Sequence, residues 1–152
     1  MHRHRALTPS KALWKLWLVN IRSNSSRAIR ASVSATVEPG CDLHRRACAA
    51  TLPDGSRIEL SITPRPIPMI TPLQVEVKTA GLEASKVEVD FAGVDMNMGY
   101  NRQTLTAADD GSYRGQATIP VCVTGRMLWV ATLLIETDRQ KISVPFRFEA
   151  PV

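Results

Sequence analysis

Lys141-Ile142-Ser143-Val144-Pro145-Phe146-Arg147-Phe148 alternates large apolar side chains with Lys141, Ser143, Pro145 and Arg147 over eight residues. A period of two places Ile142, Val144, Phe146 and Phe148 on one face of an extended chain and the intervening residues on the other. That pattern marks a strand with one side in a core and one in water. The same reading extends outward along the chain. Ile58, Leu60 and Ile62 alternate with Arg57, Glu59 and Ser61. Val75 and Val77 alternate with Gln74, Glu76 and Lys78. Val87, Val89 and Phe91 alternate with Lys86, Glu88 and Asp90. The run Leu128–Ile135 is apolar on both faces, which places it as a central strand. Pro145 lacks an amide donor and so points to an edge position or a bulge in the last strand.

Turn signals separate these runs. Pro53-Asp54-Gly55 predicts one hairpin, and Asp109-Asp110-Gly111-Ser112 predicts another between about 103–108 and 113–120. TPRPIPMITP, residues 63–72, carries four prolines and cannot pair inside a central sheet, so it is expected to cross between sheets as extended chain. Seven to eight short antiparallel strands without a helical segment predict an all-β fold, an immunoglobulin-like β-sandwich spanning residues 41–152.

Residues 1–40 read differently. Thr8-Pro9 can start a helix, after which Trp14, Trp17, Leu18 and Ile21 share one face with Lys11, Lys15 and Arg22 elsewhere on the wheel. Residues 11–22 thus form a basic amphipathic pattern suited to a membrane surface, too short and too charged to span one. The following RSNSSRAIRASVSA has the composition of a targeting segment or linker. Three readings fit: an export signal ending near Ala35, an interfacial anchor, or residues upstream of the true start. In each, residues 1–40 are expected to stand outside the sandwich as a non-core segment.

Charge excludes one class of function. The net charge of +5 is carried by the leader, where Arg3, Arg5, Lys11, Lys15, Arg22, Arg27 and Arg30 face the single acid Glu38. The rest of the chain is close to neutral, whereas a nucleic-acid-binding domain needs cations clustered on its folded surface. Catalytic constellations are also missing. Of three histidines only His44 lies beside the strands, and there is neither a Gly-rich phosphate loop nor a C-x-x-C pair. The expectation is a non-enzymatic binding or assembly module with no identified small-molecule substrate.

The residues that can carry chemistry are sulfur-bearing. Asp95-Met96-Asn97-Met98-Gly99-Tyr100-Asn101-Arg102 sets two thioethers at M-x-M spacing after the Val87–Phe91 strand. Cys122 and Met127 follow in a second turn, Pro120-Val121-Cys122-Val123-Thr124-Gly125-Arg126-Met127. Soft thioether and thiolate ligands select Cu(I), and Met96, Met98, Cys122 and Met127 would offer up to four sulfurs if both turns share one end of the sandwich. The competing reading is plain packing, since methionine fills irregular gaps and a buried cysteine acts as a small hydrophobe. Cys41 and Cys48 bracket six residues at the start of the domain and suit a disulfide; Cys48–Cys122 is the alternative. Either implies an oxidising compartment.

Taken in order, the strand ending D-F-x-G, the M-x-M-G-x-N-R loop, the D-G-x-Y-x-G turn and strand, the Pro-Val-Cys turn and the G-R-M-x-W strand resemble the YtkA-like and FixH-like domains. The resemblance covers about Leu73 to Phe148 and rests on Met96, Met98, Gly99, Gly111, Tyr113, Gly125 and Trp129. It implies an immunoglobulin-like sandwich on the periplasmic or extracytoplasmic face of a bacterial membrane. The implied role is in copper handling or cytochrome oxidase assembly, with a membrane protein or oxidase-assembly partner.

Overall fold

The computed structural model describes residues 31–95, 101–120 and 125–151. Among these residues there is no helix. Ten strands follow one another: β1 (Ala31–Ser34), β2 (Thr36–Val37), β3 (Cys48–Thr51), β4 (Arg57–Thr63), β5 (Leu73–Ala80), β6 (Lys86–Gly93), β7 (Arg102–Ala107), β8 (Tyr113–Ala117), β9 (Met127–Glu136) and β10 (Gln140–Ala150). The all-β expectation holds. Their order is β1-β10-β9-β6-β7-β8-β5-β4-β3-β2.

Two strands change partners along their length. β7 pairs β6 through Arg102–Leu105 and β8 through Thr106 and Ala107. At the opposite margin β1 neighbours β10, and after Ala35 the chain continues as β2 against β3. β2 also comes up against β10. Two layers, β10-β9-β6 and β3-β4-β5-β8, are therefore joined at both margins by strands that belong in part to each, and the ten strands nearly close on themselves. Strands that switch layers are the usual corner of such packings.

Between the layers lies the core. The inward residues of β9 are Met127, Trp129, Ala131, Leu133 and Ile135, all buried, while the intervening residues are half-buried. β9 lies between β10 and β6, as its doubly apolar run predicts. Ile142, Val144, Phe146 and Phe148 of β10 are buried, as are Ile58, Leu60 and Ile62 of β4 and Val87, Val89 and Phe91 of β6. Pro145 is accommodated without a bulge. The β9–β10 register runs unbroken from Lys141↔Glu136 to Ala150↔Met127, and the neighbour on the other side of β10 is the four-residue β1.

The strand count exceeds seven to eight because of β1 and β2, which fall inside the stretch expected to lie outside the fold. Ser32, Ser34 and Thr36 are exposed, whereas Val33, Ala35 and Val37 pack against the core. This is period two once more, in the residues that also resemble an export cleavage site. The Pro-rich segment, expected to cross between sheets, instead joins β4 to β5, which pair directly as antiparallel neighbours, so its prolines sit in a long loop at one end of a single layer. Ile67 is buried at its centre, and the Ile70 N–H donates to the Ile119 carbonyl at 2.9 Å.

Candidate functional site

β6 runs toward one end of the molecule and its neighbour β9 starts from that end, with Gly93 opposite Trp129. Just past the ladder, the Val94 N–H donates to the Leu128 carbonyl at 2.9 Å. The residues leading into the methionine loop therefore lie beside those leading out of the cysteine turn. The two remaining stems are tied as well. The Phe91 N–H donates to the Asn101 carbonyl at 3.0 Å, and the Asn101 side-chain amide donates to the Thr118 carbonyl at 2.9 Å. Asp95, Asn101, Pro120 and Gly125 thus flank two loops that spring from one end of the sandwich. Met96, Met98, Gly99, Tyr100 and Cys122 lie outside the described residues.

Met127 is described. It is 7% exposed, belongs to the core and sits opposite Ala150, so its thioether serves packing. The run that follows is apolar on both faces, so alternation did not reveal its place in the inward row with Trp129 and Ala131. Trp129 adds a feature that sequence reading missed: its indole Nε1 is buried without a hydrogen-bond partner among the described residues. That is uncommon, because a buried indole N–H ordinarily finds an acceptor.

The same end holds three further features. Ile70, 67% exposed, has φ +60°. A β-branched side chain is strained in that left-handed region, and strain of this kind gathers at binding sites. Val94 is 44% exposed nearby in the chain's path to the first loop. His44 joins three segments: its Nδ1 accepts the Ile67 N–H at 2.9 Å, its Nε2 bonds the Glu149 carbonyl, and its ring meets Phe148 edge-on at 5.8 Å. Asp42, His44, Arg126, Glu149 and Pro151 line a cleft of about 280 Å³.

Cys41 and Cys48 form a disulfide, with Cα atoms 5.8 Å apart. Bonding this pair leaves Cys122 without a cysteine partner in the chain, which holds three. The bond is compatible with an extracellular location. Beside it stands Glu38, whose carboxylate accepts Arg46 Nη1 at 3.0 Å and the Ala49 N–H at 2.9 Å. The Arg46 hydrogen bond first, and then the Ala49 amide, hold the Glu38 carboxyl below its ordinary range. The Glu38 carboxylate and the two sulfurs lie within 4.8 Å of one another.

No family model, curated protein or solved structure matches the chain. Among the described residues no helix is long and apolar enough to cross a membrane.

Proposed function

We propose that this chain is a periplasmic accessory domain that holds Cu(I) through the sulfurs of Met96, Met98 and Cys122. The observation that carries this reading is the joining of the two loop stems by the Val94–Leu128 hydrogen bond. Donor chemistry supports it: two thioethers and a thiol are soft and favour Cu(I) over the oxygen donors Asp95, Asn97 and Tyr100 of the first turn. Met127, packed in the core, is omitted from the ligand set. The resemblance to YtkA-like and FixH-like domains points the same way, toward copper handling or oxidase assembly. In this reading residues 11–22 would hold the domain at the membrane surface through their apolar face.

The test is an anaerobic titration of the purified chain with Cu(I) against a competing chromophoric chelator. The expected result is retention of about one equivalent, falling at least tenfold in affinity in the Met96→Leu/Met98→Leu double variant and in Cys122→Ser. Failure to retain Cu(I), or retention unchanged in the double variant, overturns the proposal.

A second reading is favoured by Ile70 and Val94, the large apolar side chains exposed among the described residues. It makes the chain a metal-free interaction module that docks on a membrane protein through its loops. Binding of such a partner that survives chelation but is lost in Ile70→Asn would select this reading over copper retention.

A further inference from the structure

Glu38, Cys41 and Cys48 stand apart from the two loops proposed for Cu(I). They come from three structural contexts: Glu38 follows β2, Cys41 opens the loop before β3, and Cys48 begins β3. The ladders fix this arrangement. Cys48 is held in register with Leu60 and is 1% exposed, while the Glu38 N–H donates to the Ala49 carbonyl at 2.9 Å. Cys41 is half-buried, so the group is rooted in the core on one side and open to water on the other.

As a disulfide the two sulfurs carry no charge and are poor ligands. Reduced, they supply two thiols beside a carboxylate that Arg46 and the Ala49 amide hold in place. We propose that the reduced Glu38–Cys41–Cys48 group is a Zn²⁺ site, and that the disulfide is its closed, metal-free state. Two thiolates and a carboxylate are a donor set for this borderline ion, with solvent able to fill the fourth tetrahedral position on the open side. The spacing suits it. Two thiolates on one Zn²⁺ stand about 3.8 Å apart if each Zn–S bond is about 2.3 Å. Cα atoms 5.8 Å apart can meet that separation by side-chain rotation. Of the Glu38 oxygens Oε2 is the less engaged, with one long hydrogen bond to Arg46 Nη2 at 3.5 Å, whereas Oε1 accepts from Arg46 Nη1 and Ala49.

The chemistry balances in two steps. A small dithiol delivers two electrons and two protons to the Cys41–Cys48 bond and leaves as its own disulfide, giving two thiols. Zn²⁺ then displaces the two thiol protons. Reoxidation requires loss of the ion, so metal and disulfide exclude one another.

The test uses the full chain, oxidised or reduced by dithiol, with excess reductant removed under anaerobic conditions. Zn²⁺ affinity is read against a chromophoric chelator, and Co²⁺ serves as a spectroscopic substitute. The reduced chain is expected to take up one equivalent, with a thiolate-to-Co²⁺ charge-transfer band, and the oxidised chain none. Glu38→Gln is expected to weaken Zn²⁺ at least tenfold, Cys41→Ser to abolish the band, and Cys122→Ser to leave both unchanged. Thermal melts of each variant separate lost ligation from lost folding, and the unsubstituted chain in its two redox states gives the answer without substitution. Absence of reduced-state uptake, an unaltered affinity in Glu38→Gln, or dependence on Cys122 overturns the proposal. None of these outcomes decides the Cu(I) reading, which is probed with the Cys41–Cys48 bond intact.

Discussion

A backbone amide can only donate, so the Ile67 N–H fixes His44 Nδ1 as an acceptor and leaves the ring proton on Nε2, facing the Glu149 carbonyl. One imidazole thereby ties the opening loop of the domain to the Pro-rich β4–β5 loop and to the end of β10. Replacing His44 by Ala strands the backbone donor of the buried Ile67, while the exposed Glu149 carbonyl can turn to water. The expected cost is about 1–3 kcal/mol, read as a lower urea midpoint with an unchanged slope. Nothing in the sequence marks this role. His44 reads there only as a lone histidine, since its partners lie 23 and 105 residues away. Met127 is a second such case. Its chemistry suggests a ligand, and because β9 is apolar on both faces only the ladder shows that it lies in the buried row with Trp129 and Ala131.

At the scale of elements, two hairpin tips repeat one device. Asp54 and Asp110 each accept the N–H and the hydroxyl of the serine two residues on, Ser56 and Ser112. Gly55 and Gly111 between them take φ +89° and +85°, a region that glycine enters without the clash of a Cβ. The serine hydroxyls, followed by the serine amides, hold both aspartate carboxyls below their ordinary range. Each group favours the charged form in the folded chain. Its contribution is therefore complete above the unfolded carboxylate range, about pH 4, and disappears as pH falls through the lower folded values. Thermal melts should show stability declining below about pH 4, and less steeply in Asp54→Asn/Asp110→Asn, which starts from a lower plateau. These hairpins were legible because Asp-Gly-Ser carries its own turn chemistry. β1 and β2 were not, because a short run of serine, alanine, valine and threonine satisfies both a strand and an export cleavage site. Its inward set of Val33, Ala35 and Val37 becomes decisive only once a core exists to receive it.

For the whole molecule, the position of the N-terminal boundary becomes a measurable property. A chain beginning at Ser32 keeps β2 and most of β1, whereas one beginning at Pro39 removes both together with Glu38. The shorter form is expected to lose about 2–3 kcal/mol from the packing of Val33, Ala35 and Val37. It should also self-associate in sedimentation experiments, because β3 and the outer side of β10 would lose their neighbours. The intact order ends in strands of four and two residues, and β7 divides its hydrogen bonds between both layers. Such short, shared margins give a visiting polypeptide little backbone to pair with. Recognition by strand addition is thereby disfavoured, and a protein that meets this domain must read its side chains at the loops. Specificity then resides in residues that can be exchanged without disturbing the ladder, and a new partner can be acquired by changing a loop while the scaffold stays as it is.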